Sequence, residues 1–308
     1  MTRAAAGMIY CLPRRAALAF ARILGAAAYY VIWRQRDRIF ENLSAAYGTA
    51  KTEAEFRRIG REVMQNAAET AVEVLQFPKL DREKINRFVD SREALAVYHG
   101  LLKEGKGVLS ITAHLGNWEL LAGVVIRNGF SACVIGRRIY YEPYNDWIIA
   151  LRRALGIETI YRDEPMRRVV RALKANRIVG LLPDQDMDSL PGIFVDFFGW
   201  PAYTSIAPVK LSLMTGAPIV VSFLIREPGD RYRLVVEEVI RPEMKTGRED
   251  ALRKYTEQWM GDFERMILRY PGQWAWMHNR WKTRKKSEEL RIKSEELRIK
   301  SKEQKVTI

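Results

Sequence analysis

Between Gly107 and Ile240, short apolar runs alternate with longer stretches in which apolar residues recur every three or four positions. The runs VLSITA (108–113), ACVIG (132–136), IETIY (157–161), IVGLLP (178–183), APIVVSFLI (217–225) and YRLVVEEVI (232–240) read as strands. Stretches 119–129, 144–156, 165–176 and 204–216 read as helices. Gly129 and Gly156 end the first two, Pro165 opens the third, and Pro208 sits near the first turn of the fourth. A long helix is predicted over 250–270. This alternation predicts an α/β fold with a mixed, largely parallel central sheet flanked by helices. The last two strands, joined around Gly229 and Asp230, are predicted to form an antiparallel hairpin at one edge. In open sheets of this kind, chemistry gathers at the C-terminal ends of the strands.

Before Gly107 the pattern is helical. Phe56, Ile59, Val63, Ala67, Thr70 and Val74 fall on one helix face, and Asp81 and Ser91 are placed to cap the next two helices. Residues 16–33, AALAFARILGAAAYYVIW, are largely apolar but include Arg22. A spanning helix needs about 20 apolar residues and a central arginine costs a few kcal/mol, so the run is marginal as a span. Tyr29, Tyr30 and Trp33 stand where a signal peptidase would cut, a poor fit to a signal peptide. Arg3, Arg14 and Arg15 before the run, Arg34, Arg36 and Arg38 after it, and the aromatic end suit a helix lying in an anionic membrane interface. A buried core helix is the alternative. SEELRIK repeats at 287–293 and 294–300, but its apolar positions are spaced two and five apart and make no coiled-coil seam, so a charged, solvated extension is expected. The expected organisation is a membrane-associating helix over 1–35, a main domain over 36–284 and a tail over 285–308.

A hydrophobic content of 48% and 8 Trp exclude a mainly disordered chain. Two cysteines, Cys11 and Cys133, exclude a disulfide framework and a cysteine-based zinc site. The net charge of +14 is divided as +5 over 282–305 and +9 over the rest. The body is itself basic, which points to nucleic acid, anionic lipid or an acidic protein as partner.

Of the three histidines, His114 directly follows the first strand, in AHLGNWELL. Gly116 permits a strand-to-helix turn and Asn117 is a suitable N-cap. Glu119, in the first turn of the helix, can then reach back to one imidazole nitrogen and leave the other as a general base. There is no G-x-S-x-G elbow and no cysteine nearby in sequence, so the base suits direct attack by a substrate hydroxyl. With no H-E-x-x-H and no third ligand close by, neither a metal nor another cofactor is expected.

HLGNWE resembles the H-x4-D/E motif of the glycerolipid acyltransferase superfamily, in the form found in bacterial lipid A biosynthesis acyltransferases. RQRDRIFENLSAAYG (34–48), GRR (136–138), LRRALG (151–156), LLPDQD (181–186), VDFFGWPAYT (195–204), TGAPIV (215–220) and PGQWAWMHNRWK (271–282) agree with that family in order, over about residues 10–284. Two departures are Asn279 before Arg280 and MDSLPG after the DQD triplet. The resemblance implies transfer of a fatty acyl group from acyl carrier protein to a hydroxyl of a lipid A precursor, at the cytoplasmic face of the inner membrane. His114 would be the base and Glu119 its orienting partner; a lysophospholipid or another glycolipid is the alternative acceptor. Asn117, Arg137, Arg152, Asp184, Gln185 and Arg280 are the expected substrate-binding residues.

Several of these residues admit a plainer reading. Asp184 and Asp186 could hold an arginine or an amino sugar's polar groups, or satisfy the N–H groups of their own turn. Arg137 and Arg152 could face phosphate or phosphopantetheine, or water. VDFFGW could wall an acyl chain, face a membrane or pack in the core. Trp274, Trp276 and Trp281 among basic residues fit a lipid interface or, taken alone, stacking on single-stranded nucleic acid. No nucleic-acid recognition signature accompanies them, and nucleic acid is not an expected partner.

Overall fold

The structure, a computed structural model, describes residues 3–245 and 247–284. The SEELRIK repeat and the tail expected over 285–308 lie outside these residues. In chain order the elements are α1 (Arg3–Cys11), α2 (Arg14–Val31), α3 (Trp33–Tyr47), α4 (Glu53–Gln76), α5 (Arg82–Phe88), β1 (Val89–Asp90) and α6 (Arg92–Leu102). They continue with β2 (Val108–Ile111), α7 (Trp118–Arg127), β3 (Ala132–Gly136), α8 (Glu142–Ala154), β4 (Glu158–Tyr161), α9 (Arg167–Lys174) and β5 (Ile178–Leu181). The last described elements are β6 (Gly192–Phe197), β7 (Trp200–Ser205), α10 (Ala207–Thr215), β8 (Ile219–Glu227), β9 (Arg231–Ile240) and α11 (Arg248–Arg269).

Seven strands form one sheet in the order β1-β9-β8-β2-β5-β3-β4, every neighbouring pair parallel except β8 and β9. This is the mixed, largely parallel sheet that the alternation predicts. The β8–β9 hairpin is present but is not the edge, because the short β1 adds in parallel outside β9. All four residues of β2 are buried, as a strand covered on both faces requires. Alternation sorts the strands' side chains into two layers. Leu109, Ile111, Val179, Val221 and Phe223 pack with α9, α10 and α11. Val108, Ile178, Val220 and Leu224 pack with α5, α6 and α7.

The helix expected over 204–216 begins only at Ala207, because 192–205 form the separate antiparallel hairpin β6–β7. Its turn is Phe198 (φ 56°) and Gly199 (φ 75°), two left-handed residues of the kind a tight hairpin demands. Of the three readings of VDFFGW, core packing holds for its aliphatic residue and both phenylalanines, whereas Trp200 is exposed. Val195, Phe197 and Phe198 are buried, and Phe197 meets the Trp274 ring edge-on at 5.7 Å.

The 24-residue α4 opens with a capping box between Thr52 and Glu55 and buries all of the predicted stripe except the half-buried Ala67. Across it lies α2. The two approach so closely that a Cβ on Gly25 would meet the backbone of Met64 and Gln65. Arg22 does not face an apolar medium: it pairs with Glu69 at 2.7 Å and with Asp230. Ala17, Leu18, Ala21 and Tyr29 are buried, whereas Phe20, Ile23, Leu24, Tyr30 and Val31 are exposed on α2. Among the described residues no single helix is long and apolar enough to cross a membrane; α2 and α3 would be together, but they are bent by 86° at Ile32.

Candidate active site

β2 and β5 are parallel neighbours with Ile111 opposite Leu181. Three residues further along each chain stand His114 and Asp184, and there they meet. The imidazole Nδ1 lies 2.8 Å from Asp184 Oδ1. Asp184 Oδ2 accepts the His114 backbone N–H and the Trp274 indole N–H, each at 2.9 Å. The carboxylate is 1% exposed and has both oxygens occupied. The bond it makes to the imidazole fixes the proton on Nδ1 and leaves Nε2 as the acceptor. Gln185 Nε2 lies 3.5 Å from that second nitrogen. Burial disfavours a charged imidazole here, but the charge and hydrogen bond of Asp184 outweigh it and raise the His114 pKa. Burial likewise works against an ionised Asp184, yet the imidazole and the three N–H contacts bring its pKa down to about 2.

The turn carrying His114 is clamped on all sides. His114 O accepts from Ala275 N–H at 3.0 Å, Gly116 N–H donates to Gln273 O at 3.1 Å, and Asn117 N–H donates to Leu224 O at 2.9 Å. From α4, the Asn66 amide donates to Gly116 O at 3.1 Å. Gly116 has φ +65°, and a Cβ there would run into the Leu224 carbonyl oxygen. Gly116→Ala is therefore expected to cost about 2–4 kcal/mol of folding free energy, read by denaturant unfolding, and to displace His114. Wild-type stability in that variant would mean that the turn is not held as described.

His114 opens into a cavity of about 760 Å³ between α4, α8 and the segment 274–278. That size lies within the range of roughly 300–1,000 Å³ typical of small-molecule sites. Val63, Ala67, Val74, Leu75, Trp147 and Ile148 give it apolar walls, while Glu119, Arg152, Gln185 and His278 add polar groups.

The residues expected at the site separate into two groups. His114, Glu119, Arg152 and Gln185 line the cavity together. The imidazole bond expected of Glu119 is made by Asp184 instead. Glu119 grips Arg152 through two bonds, at 2.9 and 2.6 Å, and acts on His114 through its charge alone. Asp184 holds His114 and is buried outside the cavity lining. Asn117 caps α7 as expected, accepting from Leu120 N–H at 2.9 Å, but it is fully buried and its amide donates to Glu73 at 2.8 Å, so it does not reach the cavity. Arg280 is also fully buried. It donates to Tyr203 O at 2.7 Å and Thr204 Oγ1 at 2.6 Å, lies over the Phe197 ring, and has its pKa pushed down to about 10 by burial. It braces β7 rather than binding substrate. Arg137 is exposed just past β3, outside the cavity lining. Trp274 and Trp276 are buried, which removes them as a stacking platform for bases. Among the described residues no cluster of three His, Cys, Asp or Glu could hold a metal ion.

Residues 3–283 match the family model of the bacterial lipid A biosynthesis acyltransferases. The chain is 28% identical to a phosphatidylinositol mannoside acyltransferase of Mycobacterium tuberculosis (strain H37Rv) over 48% of each chain. It is 30% identical to the lipid A biosynthesis lauroyltransferase of Escherichia coli K12 over 46% of each. It is 24% identical to the lipid A biosynthesis myristoyltransferase of the same organism, over 82% of this chain and 77% of that one. The alignments to the first two relatives span about half of their lengths. With a family match that runs through nearly every described residue, the chain belongs to the bacterial lipid A biosynthesis acyltransferase family.

Proposed function

We propose that this protein transfers a fatty acyl group from the thioester of an acyl carrier protein to a hydroxyl of a lipid A precursor. One observation carries the reading. An imidazole tied through Nδ1 to a buried carboxylate stands at an apolar-walled cavity that, among the described residues, no serine or cysteine lines. The acceptor hydroxyl donates to Nε2, and its oxygen forms the new C–O bond to the thioester carbonyl carbon as its proton passes to His114. Asp184 stabilises the imidazolium that results. When the C–S bond breaks, the same proton returns to the departing thiolate and His114 is neutral again. Neither cysteine enters this scheme: Cys11 is exposed and outside the cavity lining, and burial pushes the Cys133 thiol up to about 11.

Arg152, held flat by Glu119, supplies a fixed cation on the cavity wall for a phosphate of the donor or the acceptor. Lysine cannot reproduce the two-point grip, so Arg152→Lys is expected to raise the KM of one of the two substrates about tenfold with a smaller change in kcat, measured by varying the donor and the acceptor in turn. An unchanged KM for both would remove Arg152 from binding. Membrane contact is supported by exposed apolar residues of α2 and by Tyr140 and Tyr141 beside the cavity-lining Ile139 and Tyr144. With Arg34, Arg36, Arg38, Arg137 and Arg138 nearby in sequence, these residues suit an anionic leaflet, here the cytoplasmic face of the inner membrane. The basic body also suits an acidic carrier protein.

The similarity to the mycobacterial enzyme favours a second reading, in which the acceptor is a mannosylated or other glycolipid or a lysophospholipid. Incubation with acyl carrier proteins of several chain lengths and each acceptor, read by mass spectrometry, separates the two. One added acyl chain on the lipid A precursor is expected. Addition only to the other acceptors selects the second reading, and addition to none overturns acyl transfer.

A further inference from the structure

We infer that His278 is a catalytic hydrogen-bond donor: its Nδ1–H serves the carbonyl oxygen that takes up negative charge when the thioester is attacked. The inference rests on the acyl-transfer reading above and adds the part that reading lacks, a group for the oxyanion.

The backbone N–H of Asp186 can only donate, and it points at His278 Nε2 from 3.1 Å. That nitrogen must therefore carry a lone pair, and the single proton of the neutral ring sits on Nδ1. Burial, with smaller contributions from His114 and Arg280, holds the ring's pKa below the ordinary imidazole value, so the ring stays neutral. Nδ1 meets no partner among the described residues, and His278 lines the cavity into which His114 opens. The residue is fixed as well as polarised. Its N–H donates to Ala275 O at 3.1 Å, and its carbonyl accepts from the Asn42 amide at 2.7 Å, which also bonds Trp276 O at 2.6 Å. A donor oriented before the reaction is the arrangement that stabilises developing charge at least cost.

One short turn thus sets both rings. Asp184 makes His114 an acceptor at Nε2, and two residues on, the Asp186 N–H makes His278 a donor at Nδ1. During attack the carbonyl π pair moves onto oxygen and accepts the Nδ1–H bond without taking the proton. The pair returns to re-form C=O as the C–S bond breaks.

Two substitutions part this role from bracing the turn. His278→Gln places an amide oxygen near Nε2, able to accept from Asp186 N–H, but has no donor at Nδ1. His278→Asn places an amide N–H near Nδ1 and abandons the Asp186 contact. With thermal unfolding confirming both folds, Gln is expected to lower kcat about 100-fold with KM within about twofold, and Asn to stay within about tenfold of wild type. The reverse order, or equal effects, would overturn the proposal and leave His278 a brace. Two-bond nitrogen–proton NMR correlations on the free wild-type protein read the tautomer without any substrate. Protonated Nδ1 with bare Nε2 between pH 6 and 8 is expected, and the opposite tautomer would overturn the proposal. If the wild-type protein transferred no acyl group, the proposed function would fall, and the NMR result would still decide how this ring is held.

Discussion

Replacing His114 with alanine is expected to lower acyl transfer by about 100-fold or more while the fold survives. The ring is partly exposed to the cavity and touches Asp184 and the edge of Trp118, at 5.0 Å between centroids, so little core packing is lost. Asp184 keeps its two other donors, the His114 backbone N–H and the Trp274 indole, and is not left as a bare buried charge. What disappears is the group that the proposed mechanism uses to take the acceptor's proton. Initial rates with an acyl carrier protein thioester, together with an unfolding curve, make the check. Rates like wild type would end the mechanism, and an unfolded variant would mean that the ring is structural.

Asp184→Asn should cost no more than loss of the ring it serves but approach it, about 10³–10⁴-fold in kcat, the scale seen when the orienting carboxylate of a catalytic histidine becomes an amide. The reason lies in the surroundings of the carboxylate. The His114 N–H and the Trp274 indole both donate to Oδ2, so an asparagine there must turn its amide oxygen toward them. Its NH2 then faces Nδ1, which can accept but no longer donate. The imidazole proton is driven to Nε2, and the base is lost although every heavy atom stays in place. A loss of tenfold or less would show that the tautomer is set by something other than Asp184.

Much of the fold was legible because alternation of period two and spacing of three and four are properties of single segments, and they marked the long strands and helices before any contact was known. The hairpin of 192–205 was not: aromatic, glycine and proline residues crowd its strands and mask the alternation. At the site, His114 was readable as a strand-end residue before a capped helix. Its partner was misassigned for a physical reason. Glu119 is near in the chain, whereas Asp184 becomes near only through the pairing of β2 with β5, a long-range choice that no local spacing encodes. Trp274 and His278 were hidden in the same way, since the segment 271–282 displays aromatics and charges in sequence but spends them inward, on Asp184 and the 184–186 turn. Asn117 and Arg280 look like substrate ligands by residue type, and only their burial and the bonds they make within the protein reveal that they stand outside the cavity lining.

The pH dependence of kcat/KM tests most directly whether His114, held by Asp184, is the base. Because the folded protein raises the His114 pKa, the neutral ring becomes scarce at a higher pH than for a free imidazole. Activity should therefore fall on acidification through an apparent pKa above about 6.5, and this limb should be missing from the residual rate of His114→Ala. A limb at or below about 6.5, or one that persists unchanged without the imidazole, would contradict the mechanism.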